Sequence, residues 1–300
     1  MYLYHFGLGE LPFTLTPNTN FYMPMAMHDE ALAVLSTALQ TGEGFIKVVG
    51  EVGTGKTLLC RKLLNDIPDH FVTAYIPNPY LNPDELRRAV AVELGVKQAQ
   101  RMSVQLLTQR IQARLLELHG QGHSVVLILD EAQALPEDSL EALRLFTNLE
   151  TETRKLLQVV LFAQPELDVR LAKTEFRQLR QRITFAYKLR SMNAYEVQQY
   201  IQHRLKVAGY KGAELFPVKI CNSITRVSKG IPRLVNILCH KMLMLAYGQG
   251  HYKMTMKLLK AAVKDTESIE KGSKVNLLAF SCLLGLGILW LAYYTLAVKL

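Results

Sequence analysis

Gly50-Glu51-Val52-Gly53-Thr54-Gly55-Lys56-Thr57 is the stretch on which the reading of this 300-residue chain turns. An apolar run with Phe45, Ile46, Val48 and Val49 precedes it, and Leu58, Leu59, Leu63 and Leu64 follow at helical spacing. Strand, glycine-rich turn and helix start are the context a phosphate-binding loop requires. Glycine at 50, 53 and 55 opens backbone conformations closed to other residues, so that successive N–H groups of the turn, through Glu51, Val52 and Thr54, converge on phosphate oxygens. The helix start behind them adds its positive dipole end. Lys56 brings a full charge to the outer phosphates, and the Thr57 hydroxyl is placed to ligate Mg²⁺. The stretch predicts a site for a nucleoside triphosphate and its magnesium ion.

Outward from the loop, apolar runs alternate with amphipathic ones. Strands are expected over 46–49, 71–76, 124–129, 156–163 and 183–189, with helices over 28–40, 56–67, 83–94, 104–118, 139–149 and 166–173. Alternation of this kind predicts an α/β fold, a parallel sheet covered by helices on both faces. The run Val125-Val126-Leu127-Ile128-Leu129 ends in Asp130-Glu131. A carboxylate at the end of a buried strand suits Mg²⁺ held through water, and a neighbouring Glu suits the polarising of an attacking water. Asp130 is therefore the expected metal-side group and Glu131 the expected base. Gln164 directly follows the next strand, where a neutral amide can sense the γ-phosphate. Arg233 opens a helix after Gly230-Ile231-Pro232; a cation there opposes the helix dipole, which points to a task at the nucleotide. Arg177, Arg180 and Arg182 cluster before the last strand. Arg182 is the one expected to enter a neighbouring subunit's site.

After residue 190 only helical patterns remain, over 194–207, 218–228, 233–247 and 254–263. The chain thus divides into an N-terminal arm (1–27), the nucleotide-binding α/β part (28–190), a helical lid (191–265), a polar linker (266–274) and a run at 275–298 without one charge. As a helix those 24 residues measure roughly 36 Å, against a hydrocarbon core of about 30 Å. Trp290, Tyr293 and Tyr294 lie in its second half, and Lys271 and Lys274 precede it. A transmembrane helix with the bulk of the protein on the cytosolic side is expected. The net charge of +9 and pI near 9.3 fit an anionic membrane surface or nucleic acid as partner. Four scattered cysteines lack zinc spacing or a disulfide framework, and each sits in an apolar helical pattern.

These motifs together resemble an AAA+ ATPase. More narrowly, Tyr4-His5-Phe6-Gly7-Leu8, Pro12-Phe13-Thr14-Leu15-Thr16-Pro17, Phe21-Tyr22 and His28-Asp29-Glu30-Ala31 resemble the general secretion pathway protein A family. So do the phosphate-loop stretch, Leu129-Asp130-Glu131-Ala132-Gln133, Gln164-Pro165-Glu166-Leu167 and Gly230-Ile231-Pro232-Arg233. Within that family the chain is most similar to ATPases of MSHA-type pilus biogenesis. The resemblance implies a five-stranded sheet with a helical lid, ATP hydrolysis with Mg²⁺, and homo-oligomeric association. It also implies assembly proteins of a type IV pilus or secretion apparatus as partners, at the bacterial inner membrane. It places the 28–31 region near the adenine. Secretion members continue beyond a membrane helix into a peptidoglycan-engaging domain, and no such segment is read here, so wall binding is expected to fall to a partner. DNA-associated AAA+ proteins of transposition and replication initiation share the core. The apolar run and the lack of a basic recognition helix set that alternative second.

Overall fold

The computed structural model describes residues 2–16, 18–146 and 155–266. Five strands, β1 (Phe45–Gly50), β2 (Phe71–Ile76), β3 (Ser124–Leu129), β4 (Leu157–Ala163) and β5 (Ile183–Leu189), form a sheet in the order β2-β3-β4-β1-β5. Every neighbouring pair runs parallel. Val125, Leu127 and Leu129 of β3 pack to one side of the sheet, while Val126 and Ile128 pack to the other. That strict alternation is the pleat of a strand buried on both faces.

The helices in chain order are α1 (Tyr2–Phe6), α2 (Ala26–Gln40), α3 (Lys56–Asp66), α4 (Pro83–Glu93), α5 (Val104–Gly120), α6 (Glu137–Phe146), α7 (Glu166–Leu171) and α8 (Arg177–Arg182). The helical module adds α9 (Ala194–Val207), α10 (Val218–Ser228), α11 (Pro232–Gly248) and α12 (Met256–Lys264). Helices α2 and α3 cover one sheet face through Ala31, Leu35, Leu59 and Leu63. The other face carries α4 to α8 through residues such as Leu86, Leu107, Leu140, Leu167 and Leu179. Local chemistry explains the starts. Asn82 caps α4 in a reciprocal box with Glu85, followed by Pro83, whose fixed φ suits a first turn. Asn193 and Glu196 cap α9 in the same way.

A separate apolar core joins α9 to α12, and the N-terminal arm belongs to it: Tyr2, Phe6, Leu8, Phe13 and Phe21 are buried there beside Ile201, Leu238 and Met242. The arm, which has no periodicity in sequence, contributes the five-residue α1 and then runs irregularly over α9 and α11. The guanidinium of Arg204, stacked 4.7 Å from the Phe21 ring, donates to the Pro12 carbonyl, and the Asn236 amide donates to Thr14 O at 3.3 Å. Cys60, Cys221 and Cys239 are buried free thiols, whereas Cys282 lies outside the described residues. So do the linker from residue 267, the uncharged run at 275–298, and the last turn of the helix expected over 139–149. Among the described residues no helix is long and apolar enough to cross a membrane.

Candidate active site

Parallel pairing brings the C-terminal ends of β1, β4 and β3 side by side, with β4 in the middle. The phosphate loop leaves β1, Gln164 follows β4, and Asp130 and Glu131 follow β3, so the sheet itself sets the loop opposite the carboxylates. Gly53 and Gly55 have φ of +83° and +96°, in the region that favours glycine. A Cβ at Gly50 would lie 2.7 Å from Thr54 Oγ1, and one at Gly53 would lie 2.5 Å from Arg233 Cβ. The turn is therefore closed to larger residues at the points where its amides curl inward. The Thr54 hydroxyl donates to Glu51 O at 2.8 Å, and Lys56 Nζ donates to Gly50 O at 2.7 Å and Glu51 O at 3.0 Å. Burial lowers the Lys56 pKa, opposed by Glu131 and Asp130.

Asp130 is 2% exposed and accepts hydrogen bonds from the Thr57 hydroxyl and, at 2.9 Å, from the Glu131 N–H. Burial raises its pKa; those two donors pull the other way. A hydroxyl and a carboxylate in contact beside the loop fit magnesium, which takes one or two protein oxygens and draws the rest from water and phosphates. Among the described residues no group of three or more His, Cys, Asp and Glu side chains could hold a metal, so a dedicated all-protein cage is not what these residues build.

Glu131 has φ 53° and turns its side chain into the cleft. Its Oε2 accepts from Gln164 Nε2 at 2.9 Å and from Gln133 Nε2. Gln133 Oε1 in turn accepts from the Gln164 N–H at 3.0 Å, and Arg170 Nη1 donates to Gln133 O at 2.9 Å. Gln133 stands in the Asp-Glu-Ala-Gln sequence but was not expected at the site. Its signal is an amide two residues past the acid, in the middle of the short 3-10 turn Ala132–Ala134, next to a second amide after β4.

Arg233, the second residue of α11, meets the loop: its N–H donates to Gly53 O at 3.2 Å, and its side chain lines the same cleft as Lys56, Glu131 and Gln164. His28, 1% exposed, donates from Nε2 to Thr54 O at 3.2 Å, and burial lowers its pKa. The far wall comes from the arm and the helical module, with Thr14, Phe21, Met25, Tyr200, Arg204 and Asn236. That the arm closes this cleft has no counterpart in the sequence pattern. Arg182 is not brought to the cleft. It ends α8 beside Ile183, which pairs with Phe45 at the start of β1, whereas the loop leaves β1 at Gly50. Five residue steps of strand, about 16 Å, separate those levels of the sheet. Arg182 Nη1 donates to Arg144 O at 3.2 Å.

A profile of the AAA domain matches residues 39–171. General secretion pathway protein A of Aeromonas hydrophila is 42% identical over 254 residues, 85% of this chain and 46% of that protein. The chain belongs with the general secretion pathway protein A-like AAA+ proteins. It spans about half the length of that relative. Among solved structures, Cdc6p of Pyrobaculum aerophilum superposes with a TM-score of 0.64 at 18% identity, covering 85% of this chain and 70% of its own. The ORC1 protein of Aeropyrum pernix, solved with DNA, gives 0.61 at 20%, covering 84% and 68%. A Walker-type ATPase of Pyrococcus abyssi gives 0.56 at 16%, covering 85% and 76%. At such identity these three report the shared AAA+ fold alone.

Proposed function

We propose that the chain is a membrane-anchored AAA+ ATPase whose hydrolysis of ATP serves assembly of a type IV pilus of MSHA type, or of a secretion apparatus, in the bacterial envelope. One observation carries the enzymatic part: Lys56, Glu131, Gln164 and Arg233 line a single cleft although they come from four separate parts of the chain. The loop amides and Lys56 grip the phosphates. Thr57 and Asp130 hold the magnesium ion, which when bound offsets phosphate charge and orients the outer oxygens. Glu131 accepts the proton of the attacking water. The water oxygen bonds to the γ-phosphorus, the bond to the β–γ bridging oxygen breaks, and ADP and phosphate result. Gln164 donates to the γ-phosphate oxygens, and Arg233 neutralises charge there while tying the lid to nucleotide state. Arg182 acts on a neighbouring subunit's nucleotide in a homo-oligomer.

The envelope role is supported by the 42% identity to a general secretion pathway protein. The uncharged run at 275–298, with Lys271 and Lys274 before it, supports a single pass through the inner membrane with the bulk of the protein cytosolic. Partners are assembly proteins of that membrane.

Phosphate release by the purified full chain tests the reading. Lys56→Ala is expected to lose ATP affinity. Glu131→Gln keeps it and turns over at least ~10²-fold more slowly, the smaller end of what a general base supplies. Turnover that persists in Glu131→Gln removes Glu131 from the mechanism. Deleting residues 275–300 releases the protein from membranes; continued pelleting refutes the anchor. Tight DNA binding with a steep salt slope would favour the DNA-associated alternative instead.

A further inference from the structure

The helix α12 is split lengthwise by charge. Leu258, Leu259 and Ala262 are buried against the helical module, while Lys257, Lys260 and Lys264 are exposed. At 100° per residue the three lysines fall within an arc of about 60°. Lys253, exposed in the approach to the helix, adds a fourth. Among the described residues none of the four is paired with a carboxylate, and the neighbouring Asp265 is held by Lys241 at 2.8 Å. The approach is also aromatic: Tyr252, 65% exposed, stacks on His5 with ring centroids 4.0 Å apart, and Tyr4 is 97% exposed. Unpaired lysines beside exposed tyrosines suit a lipid headgroup region, where ammonium groups meet phosphate and phenols sit at the apolar boundary.

The position of this face in the chain decides between occupants. Ten residues, 265–274, separate Lys264 from the uncharged run, a span of at most about 35 Å even if fully extended. A nucleic-acid surface has no reason to lie next to such a run, whereas a surface leaning on the bilayer does. We infer that the lysine face of α12 is a lipid-docking surface that binds the anionic headgroups of the membrane in which residues 275–298 are anchored. The inference rests on the anchor reading above. Because α12 packs directly on α11, the helix that carries Arg233 into the nucleotide cleft, lipid contact bears on the lid itself.

Lysine footprinting tests this with the full chain in nanodiscs of neutral phosphatidylcholine, or of the same lipid with about a third phosphatidylglycerol. A water-soluble amine reagent is added and each lysine is followed by mass spectrometry. Lys257, Lys260 and Lys264 should react at least ~5-fold more slowly in the anionic discs, and the protection should fade in 0.5 M salt, where charge screening shortens to a few ångströms. The exposed lysines Lys97 and Lys219 should react alike in both. Equal rates in the two lipids overturn the docking surface while leaving the anchor intact. Loss of the chain from both kinds of disc overturns the anchor and this inference with it. Protection by duplex DNA without any by anionic lipid assigns the face to nucleic acid and refutes the inference. Lys257→Gln with Lys260→Gln and Lys264→Gln should stay in neutral discs as wild type does and lose the lipid-dependent difference at the remaining Lys253.

Discussion

Glu131 is one of three non-glycine residues at positive φ among the described residues, a conformation that costs an L residue roughly 1–2 kcal/mol. What holds it there is chemistry on both sides: its N–H donates to Asp130 Oδ1, and its carboxylate takes amide protons from Gln133 and Gln164. The turn sends two adjacent acids in different directions, Asp130 against Thr57 and Glu131 out into the cleft. Asp130 bears a cost of its own. Burial raises its folded pKa above the usual 3.8, so the fold gains from its protonated form below that value and loses the gain as pH rises through the folded pKa. At neutral pH the ionised Asp130 is therefore a net burden on stability. Asp130→Asn, which keeps an oxygen for the Thr57 and Glu131 donors, should melt above wild type at pH 7.5. The difference should shrink towards pH 4, and the variant should lose magnesium-dependent turnover. A lower melting temperature at pH 7.5 would show that the carboxylate stabilises the site. Asp130 and Glu131 were legible because two acids end an apolar run. Gln133 was not, since what gives it a role is the neighbouring end of β4, 30 residues on in sequence.

At the scale of elements, strands and helices with one dominant period read well: β2, β3 and β5 have the bounds the sequence pattern implies, and α9 and α10 do too. Each of these elements carries its own signal, a run of β-branched and aliphatic residues or an asparagine or proline at the start. The arm carries none. Its aromatic residues are buried by α9 and α11, elements some two hundred residues away, so no local period marks them. The start of α11 shows how closely the lid meets the loop. A methyl group at Gly53 would fall 2.5 Å from Arg233 Cβ, on a residue whose φ of +83° already disfavours a side chain. Gly53→Ala should therefore cost about 2 kcal/mol or more from backbone strain and displacement of α11 together. Calorimetry should show a lower melting temperature, and the affinity for ATP should fall at least ~10-fold as the amides and Arg233 move apart. Melting and ATP affinity both unchanged would mean that the lid does not rest on the loop in solution.

For the molecule as a whole, sheet polarity puts the cleft and Arg182 at opposite poles. Lys56, Glu131 and Gln164 lie at the C-terminal ends of the strands, while Arg182 lies at the other end of β5, the edge strand. Within one subunit the cleft is out of its reach. A second copy that sets its Arg182 pole against the first copy's cleft would bring the guanidinium to the γ-phosphate, a heterologous contact that closes into a ring where the rotation between copies allows it. Two inactive variants then make a decisive pair. Lys56→Ala cannot hold ATP but retains Arg182, whereas Arg182→Ala holds ATP but lacks the arginine, whose loss should lower turnover by about 10³-fold. Mixed at a concentration at which wild type is fully assembled, the two should recover hydrolysis that neither shows alone, because some interfaces join an intact cleft to an intact arginine. The recovered rate should rise with total protein and vanish on dilution. If the mixture stays as inactive as its parts, or Arg182→Ala alone hydrolyses ATP normally, Arg182 has no place in catalysis, and Arg177 or Arg180 on the same helix becomes the residue to exchange.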